Sequence, residues 1–203
     1  MTLKSPRLII FGGANGSGKS TLTAWYRRKI ETSSLILDPD AIARDLNPDD
    51  PSKAAIQAAR VVLKNQKDFL ESGQSFTLET TLSSHGNLEL IEAAKTRGWV
   101  VRLLYVGLGD VTFNVQRVAS RVRDGGHDVP EADIRRRFER SMVNLSLAAE
   151  LVDLLSVYDN SDRMMKRVLL IKNHRIRRYA SSNGKTWWEL ALEPYLKTLE
   201  SRE

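Results

Sequence analysis

Residues 12–21 read GGANGSGKST, between an apolar run, Leu8 to Phe11, and a segment of helical period that starts near Lys19. Gly13 to Ser20 satisfies G-x-x-x-x-G-K-[ST], the spacing of a loop that turns its backbone N–H groups inward on phosphate oxygens. Glycine lets the chain make that turn without a side chain in the way, and the following helix aims its positive dipole end at the same anion. Gly13, Ala14, Asn15, Gly16, Ser17, Gly18, Lys19, Ser20 and Thr21 are therefore read as a nucleotide cradle. Lys19 is placed at the β- and γ-phosphates, Ser20 is the hydroxyl ligand of Mg2+, and Thr21 supports the α-phosphate. A loop that only reversed the chain would have no packing reason to follow its glycines with Lys19 and Ser20. The cofactors this motif calls for are ATP and Mg2+.

The loop sets the fold class as well, because it belongs between a buried parallel strand and a helix. Downstream, apolar runs alternate with segments of helical period, the pattern of an α/β protein with a mostly parallel sheet and helices on both faces. Strands are expected at 8–11, 35–37, 75–78, 99–106 and 154–158. A long helix opens at Pro51 and stops at Gly73, with Ile56, Ala59, Leu63 and Leu70 on its inner face. A second runs from about Asn87 to Thr96, and Asp110 caps another. The segments 168–172 and 175–179 are expected to pair as a hairpin across Asn173 and His174. A last helix follows, with Trp187, Trp188, Leu190 and Leu196 as packing anchors. At 203 residues the chain is expected to form a single domain, 1–203, with an arginine-rich lid at about 117–140.

Composition removes several alternatives. The chain has no cysteine, which excludes disulfides, thiolate metal sites and a cysteine nucleophile. No long apolar run suggests a membrane span, and the expected location is cytoplasmic. The formal charge, 31 Lys and Arg against 25 Asp and Glu for a net of +6, suits anionic ligands. A nucleotide's phosphates satisfy that charge without invoking nucleic acid.

Phosphoryl transfer needs acidic and basic groups around the cradle. Asp40 follows the second strand, where a carboxylate can take the proton of an acceptor hydroxyl; the alternative reading is a helix cap, which fits Asp38 better. Glu79 ends a strand before Thr80 and Thr81 and is suited to orienting the acceptor or holding a magnesium water. Arg117 and Arg121 share a helix face, while Arg123 and Arg135 to Arg137 flank the turn at Gly125, Gly126 and His127. Together they form a candidate clamp for the moving phosphoryl group. His127 is read as a strut without a catalytic role. Asp159, Asn160 and Ser161 are read either as a plain turn or as neighbours of the adenine or the lid.

GGANGSGKST, LDPD, LETTLS, RVRDGGHDVP, IRRRF and YDNS, in this order over residues 12–161, resemble the zeta-toxin-type kinases, in their short bacterial branch. The resemblance implies a nucleoside-kinase-like P-loop domain that phosphorylates a hydroxyl of UDP-N-acetylglucosamine or a related UDP-sugar, restrained by a protein antitoxin. It also implies Asp40 as the base and Glu79 as an aid to acceptor binding. The lid arginines correspond to one of Arg121 or Arg123 and one of Arg136 or Arg137. LETTLS departs from the acceptor loop of the long toxins, and the last forty residues carry little of the resemblance.

Two other classes compete with a small-molecule kinase. An ATPase or nucleotide switch of the ABC type needs a signature helix like LSGGQ, which the chain lacks. A nucleoside or polynucleotide kinase is suggested by the basic run from Lys172 to Arg178 and predicts steep salt dependence of binding.

Overall fold

The computed structural model describes residues 5–29, 35–126, 128–172, 175–178 and 186–201. Strand β1 (Arg7–Gly12) alternates its apolar residues between two cores. Leu8 and Ile10 face a large cluster with Leu78, Leu103, Tyr105 and Val157, while Ile9 and Phe11 face a smaller one with Leu104 and Val106. Such two-sided burial is what a central parallel strand requires, because helices cover both faces of its sheet. Each fully buried large apolar side chain contributes about 1.5–3 kcal/mol.

Helix α1 (Lys19–Lys29) covers the smaller core with Leu22 and Tyr26. Strand β2 (Leu35–Leu37) leads into α2 (Pro39–Leu46) and α3 (Pro51–Ser72), then β3 (Phe76–Thr80), α4 (His85–Thr96), β4 (Val100–Gly107) and α5 (Val111–Arg123). Helix α6 (Glu131–Leu151), strands β5 (Leu154–Asp159), β6 (Lys166–Lys172) and β7 (Arg175–Arg178), and α7 (Trp187–Glu200) complete the described chain. Helices α4, α6 and α7 close the larger core through Ile91, Ala148, Trp188 and Leu192.

The strand order is β2-β3-β1-β4-β5-β6-β7. The first five are parallel, and β6 and β7 are antiparallel additions at one edge. The carboxyl ends of β1 to β5 therefore gather at one rim, and that rim carries the site. The expected hairpin is β6–β7; its turn at Asn173 and His174, and Tyr179, lie outside the described residues.

Two faces differ from the sequence reading. Helix α3 buries Ala54, Ala58 and Val62, whereas Ile56 and Leu63 are 72% and 62% exposed. The cause is the partner helix: Ala43 of α2 meets Ala54 and Ala58, and small side chains let two helices approach closely. Ile56 lies two residues from each alanine, about 200° round the helix, and so faces away. Leu70 keeps its expected contact with the large core. On α7, Trp188 and Leu196 are buried but Leu190 is exposed, because Trp188, Leu192, Tyr195 and Leu199 form the buried stripe. The expected stop and cap signals are present: Gly73 ends α3 at a φ of +70°, and Asp110 accepts from the N–H of Thr112 at 2.7 Å.

Candidate active site

The cradle turns where β1 ends. At Gly13 φ is +143°, and an added Cβ would run into the Val106 carbonyl of the neighbouring strand. Gly18, at +106°, leaves room for the Asn160 side-chain amide, which would lie 2.5 Å from a Cβ there. Both positions thus need glycine for conformation and for space. The N–H of Ser17 donates to the Ala14 carbonyl at 3.2 Å and closes the turn. Lys19 Nζ reaches back across the loop to the same carbonyl, also at 3.2 Å. Burial pushes the Lys19 ammonium below the usual lysine pKa. Glu79, Asp40 and Asp38 pull it back up, and Arg121 adds to the lowering. A half-buried cation of this kind gains strongly from an anion placed beside it.

Beneath the loop, Glu79 is 7% exposed. Its Oε1 accepts from Ser20 Oγ at 2.6 Å and its Oε2 from Thr23 Oγ1 at 2.9 Å. The parallel register puts Glu79 opposite Phe11 of β1, one residue before the loop's first glycine. Glu79 therefore sits with the cradle's own hydroxyl.

The second strand delivers two carboxylates with separate tasks. Asp38 is the N-cap of α2 and accepts from the Asp40 N–H at 2.9 Å. Capping by Asp38 leaves the carboxylate of Asp40, in the helix's first turn, turned to solvent and to the cavity. A cavity of about 210 Å³ is lined by Asn15, Lys19, Asp38, Asp40, Glu79, Thr80, Thr81 and Arg137. Asp40 also lines a wider cavity of about 470 Å³, which reaches Arg44, Asp49 and Arg121.

The arginines separate by environment. Arg121 lies at the end of α5 on the wall of the wider cavity and is close enough to Lys19 to depress its pKa. Arg137 donates to Asn15 Oδ1 at 3.3 Å and lines the smaller cavity. Arg123 is exposed and lines neither cavity, and Arg136 pairs with Asp133 at 2.7 Å on the surface of α6. Arg135 likewise turns to Glu131. The Arg117 guanidinium donates to the Asn160 carbonyl at 2.7 Å. His127 lies outside the described residues.

Two asparagines do work that the sequence did not assign. Asn114, fully buried in α5, donates to the Asn15 carbonyl at 2.7 Å. Its signal was a polar residue within the stripe Val111, Val115, Val118 and Val122, where an apolar one belongs. Asn160, directly after β5, donates to the Ser17 carbonyl at 2.8 Å. No spacing rule points from residue 160 to residue 17, since only the sheet brings them together. Ser17 Oγ, 1% exposed, has no hydrogen-bond partner among the described residues.

Known proteins resemble this chain over most of its length. A model of the Zeta toxin family matches residues 1–170. An uncharacterized protein of Haemophilus influenzae is 33% identical over 132 residues, 65% of this chain and 92% of that protein. The solved PezAT chromosomal toxin-antitoxin system of Streptococcus pneumoniae shares the fold with a TM-score of 0.64 at 16% identity, over 100% of this chain and 87% of that one. AvrRxo1-ORF1:-ORF2 with ATP shares it with a TM-score of 0.69 at 14% identity, over 95% of this chain. The chain spans only 63% of that longer protein. Fold and cradle are those of P-loop kinases, and the match over residues 1–170 gives the lineage: the chain belongs to the zeta toxin family.

Proposed function

We propose that this P-loop kinase transfers the γ-phosphate of ATP to a hydroxyl of a small acceptor, and that the acceptor is a UDP-N-acetyl amino sugar. The observation that carries the reading is the shared cavity, in which Lys19, Asp40, Glu79, Thr81 and Arg137 face one space at the strand ends. In it Asp40 accepts the acceptor's proton as its oxygen attacks. Lys19, Arg121 and Arg137 face the negative charge of the moving phosphoryl group, the largest contribution available to a protein in this chemistry. Thr81, whose hydroxyl pairs with Ser83 at 2.8 Å, lines the same cavity and can turn that hydroxyl to the acceptor.

The donor set beneath the cradle fits Mg2+, a hard cation that takes oxygen ligands and keeps most of its waters. Ser20 would hold it through its hydroxyl and Glu79 through a water, and the ion would neutralise phosphate charge. Among the described residues no helix is long and apolar enough to cross a membrane, and a cytoplasmic setting supplies both ATP and UDP-sugars. Membership of a toxin family, together with toxin–antitoxin neighbours, supports an antitoxin protein as partner.

The test is transfer from γ-labelled ATP into UDP-sugars, nucleosides and short oligonucleotides, with Lys19→Ala and Asp40→Asn alongside. Label on a UDP-sugar, lost in both variants, is the expected result. Label on a nucleoside or oligonucleotide would replace the acceptor, and release of free phosphate alone would make the protein an ATPase.

A further inference from the structure

Helix α7 begins beyond residue 170, where the family match ends, yet its first residue reaches the nucleotide rim. The Trp187 ring lies flat on Gly107, the last residue of β4, so closely that a Cβ there would stand 2.6 Å from Cζ2 and Cζ3 of the indole. The same ring flanks Gly109 and packs against Tyr105 with centroids 6.2 Å apart. The Gly107 carbonyl accepts the backbone N–H of Asn160 at 3.0 Å. The Gly109 N–H donates to Ser161 Oγ at 2.8 Å, and Ser161 Oγ donates to Asp159 at 2.6 Å. The whole β5-end turn thus hangs from the two glycines that Trp187 covers. That turn in turn holds the cradle, through Asn160 to the Ser17 carbonyl and to Arg117 of α5.

We propose that Trp187 is a positioning residue for the nucleotide: its ring fixes Gly107, Gly107 fixes Asn160, and Asn160 holds the phosphate loop at Ser17. The inference rests on the cradle binding a nucleotide and is independent of the acceptor. Close-packed interiors transmit such displacements, and shifts of about 1 Å around a reacting group cost up to about 10²-fold. The indole N–H is buried without a hydrogen-bond partner among the described residues, so the ring acts by shape. The atoms on Gly107 belong to the outer ring of the indole, which phenylalanine lacks, so phenylalanine should replace Trp187 only in part and alanine not at all.

The experiment measures the Kd of ADP with magnesium, KM for ATP, kcat and Tm for Trp187→Phe, Trp187→Ala, Gly107→Ala and Asn160→Ala. Trp187→Ala is expected to raise Kd and KM about tenfold with kcat changed less than about threefold, the signature of lost uniform binding. Trp187→Phe, which keeps a ring but loses the edge on Gly107, should fall between the wild type and Trp187→Ala, at about threefold. The Trp187→Ala/Asn160→Ala double variant should be no worse than the weaker single, because both break one chain of contacts. Gly107→Ala should weaken ADP binding in the wild-type background and do nothing further beside Trp187→Ala; should Trp187→Ala fail to fold, Gly107→Ala decides alone. A lower Tm with Kd and KM at wild-type values, or effects of Trp187→Ala and Asn160→Ala that multiply, overturns the inference. Wild-type protein that fails to bind ADP instead overturns the nucleotide reading beneath it.

Discussion

The donor and acceptor halves of the rim are built differently. On the donor side, buried and half-buried groups from several elements grip the loop: Asn114 of α5, Asn160 after β5, Glu79 of β3, and Arg137 of α6 through Asn15. On the acceptor side, Asp40 is exposed, Thr81 Oγ1 pairs with nearby Ser83 at 2.8 Å, and the wider cavity is walled by the α2–α3 connection and the Gly125–Gly126 turn. Phosphate recognition is thus preorganised by the core, which avoids the cost of ordering it on binding. Acceptor recognition, as proposed, would rest on helix ends and turns, where a substitution changes contacts without disturbing the sheet.

If that contrast holds, Lys19→Ala should give the largest loss, at least about 10³-fold in kcat/KM, with ADP binding weakened as well. Asp40→Asn should lose a comparable factor, about 10²–10⁴-fold in kcat, while ADP titration returns a wild-type Kd. A weakened ADP affinity in Asp40→Asn would erase the distinction between the halves.

The arginines sharpen it further. Arg137→Ala should lower kcat about 10²-fold, whereas Arg136→Ala should stay within about threefold, since its surface pair with Asp133 is worth about 0–1 kcal/mol. Equal losses in steady-state kinetics would show that facing the cavity is irrelevant to the effect.

The smallest effect is on pH. The pKa of Lys19 is lowered by burial in the free protein, and bound phosphates raise it again, so the complex holds more protons than its components. Nucleotide affinity should then fall as pH rises above that lowered value, by at most about tenfold per pH unit for one proton. Calorimetric titration of ADP at a pH above that lowered value, in buffers of different ionisation enthalpy, should show proton uptake in the wild type and none in Lys19→Ala.

Much of the nucleotide half was legible because its information is local. A strand, a glycine loop, Lys19 and Ser20 follow one another in the chain, and caps such as Asp110 act within two residues. Asp38 and Asp40 show how far local reasoning reaches: a cap already suited Asp38 better, and the helix geometry gives it that task. The four lid arginines were indistinguishable by spacing. Arg121 and Arg137 differ from Arg123 and Arg136 only in the direction in which α5 and α6 face them. On α3, leucine and isoleucine outrank alanine in any hydrophobic count, yet Ala54 and Ala58 are buried because α2 comes close, while Ala59, expected on the inner face, is exposed.

The sequence by itself determined the phosphate cradle, the alternation that makes a parallel sheet, and the carboxylates at its strand ends, since backbone conformation and periodicity act over a few residues. Only the tertiary structure decided that Glu79 bonds Ser20, that Arg137 and not Arg136 faces the cavity, and that Asn160 and Trp187 support a loop far away in the chain. Those contacts join residues 59 to 143 positions apart for the pairs Ser20–Glu79 and Ser17–Asn160. Their geometry depends on how strands order and helices pack, which no short window of residues encodes.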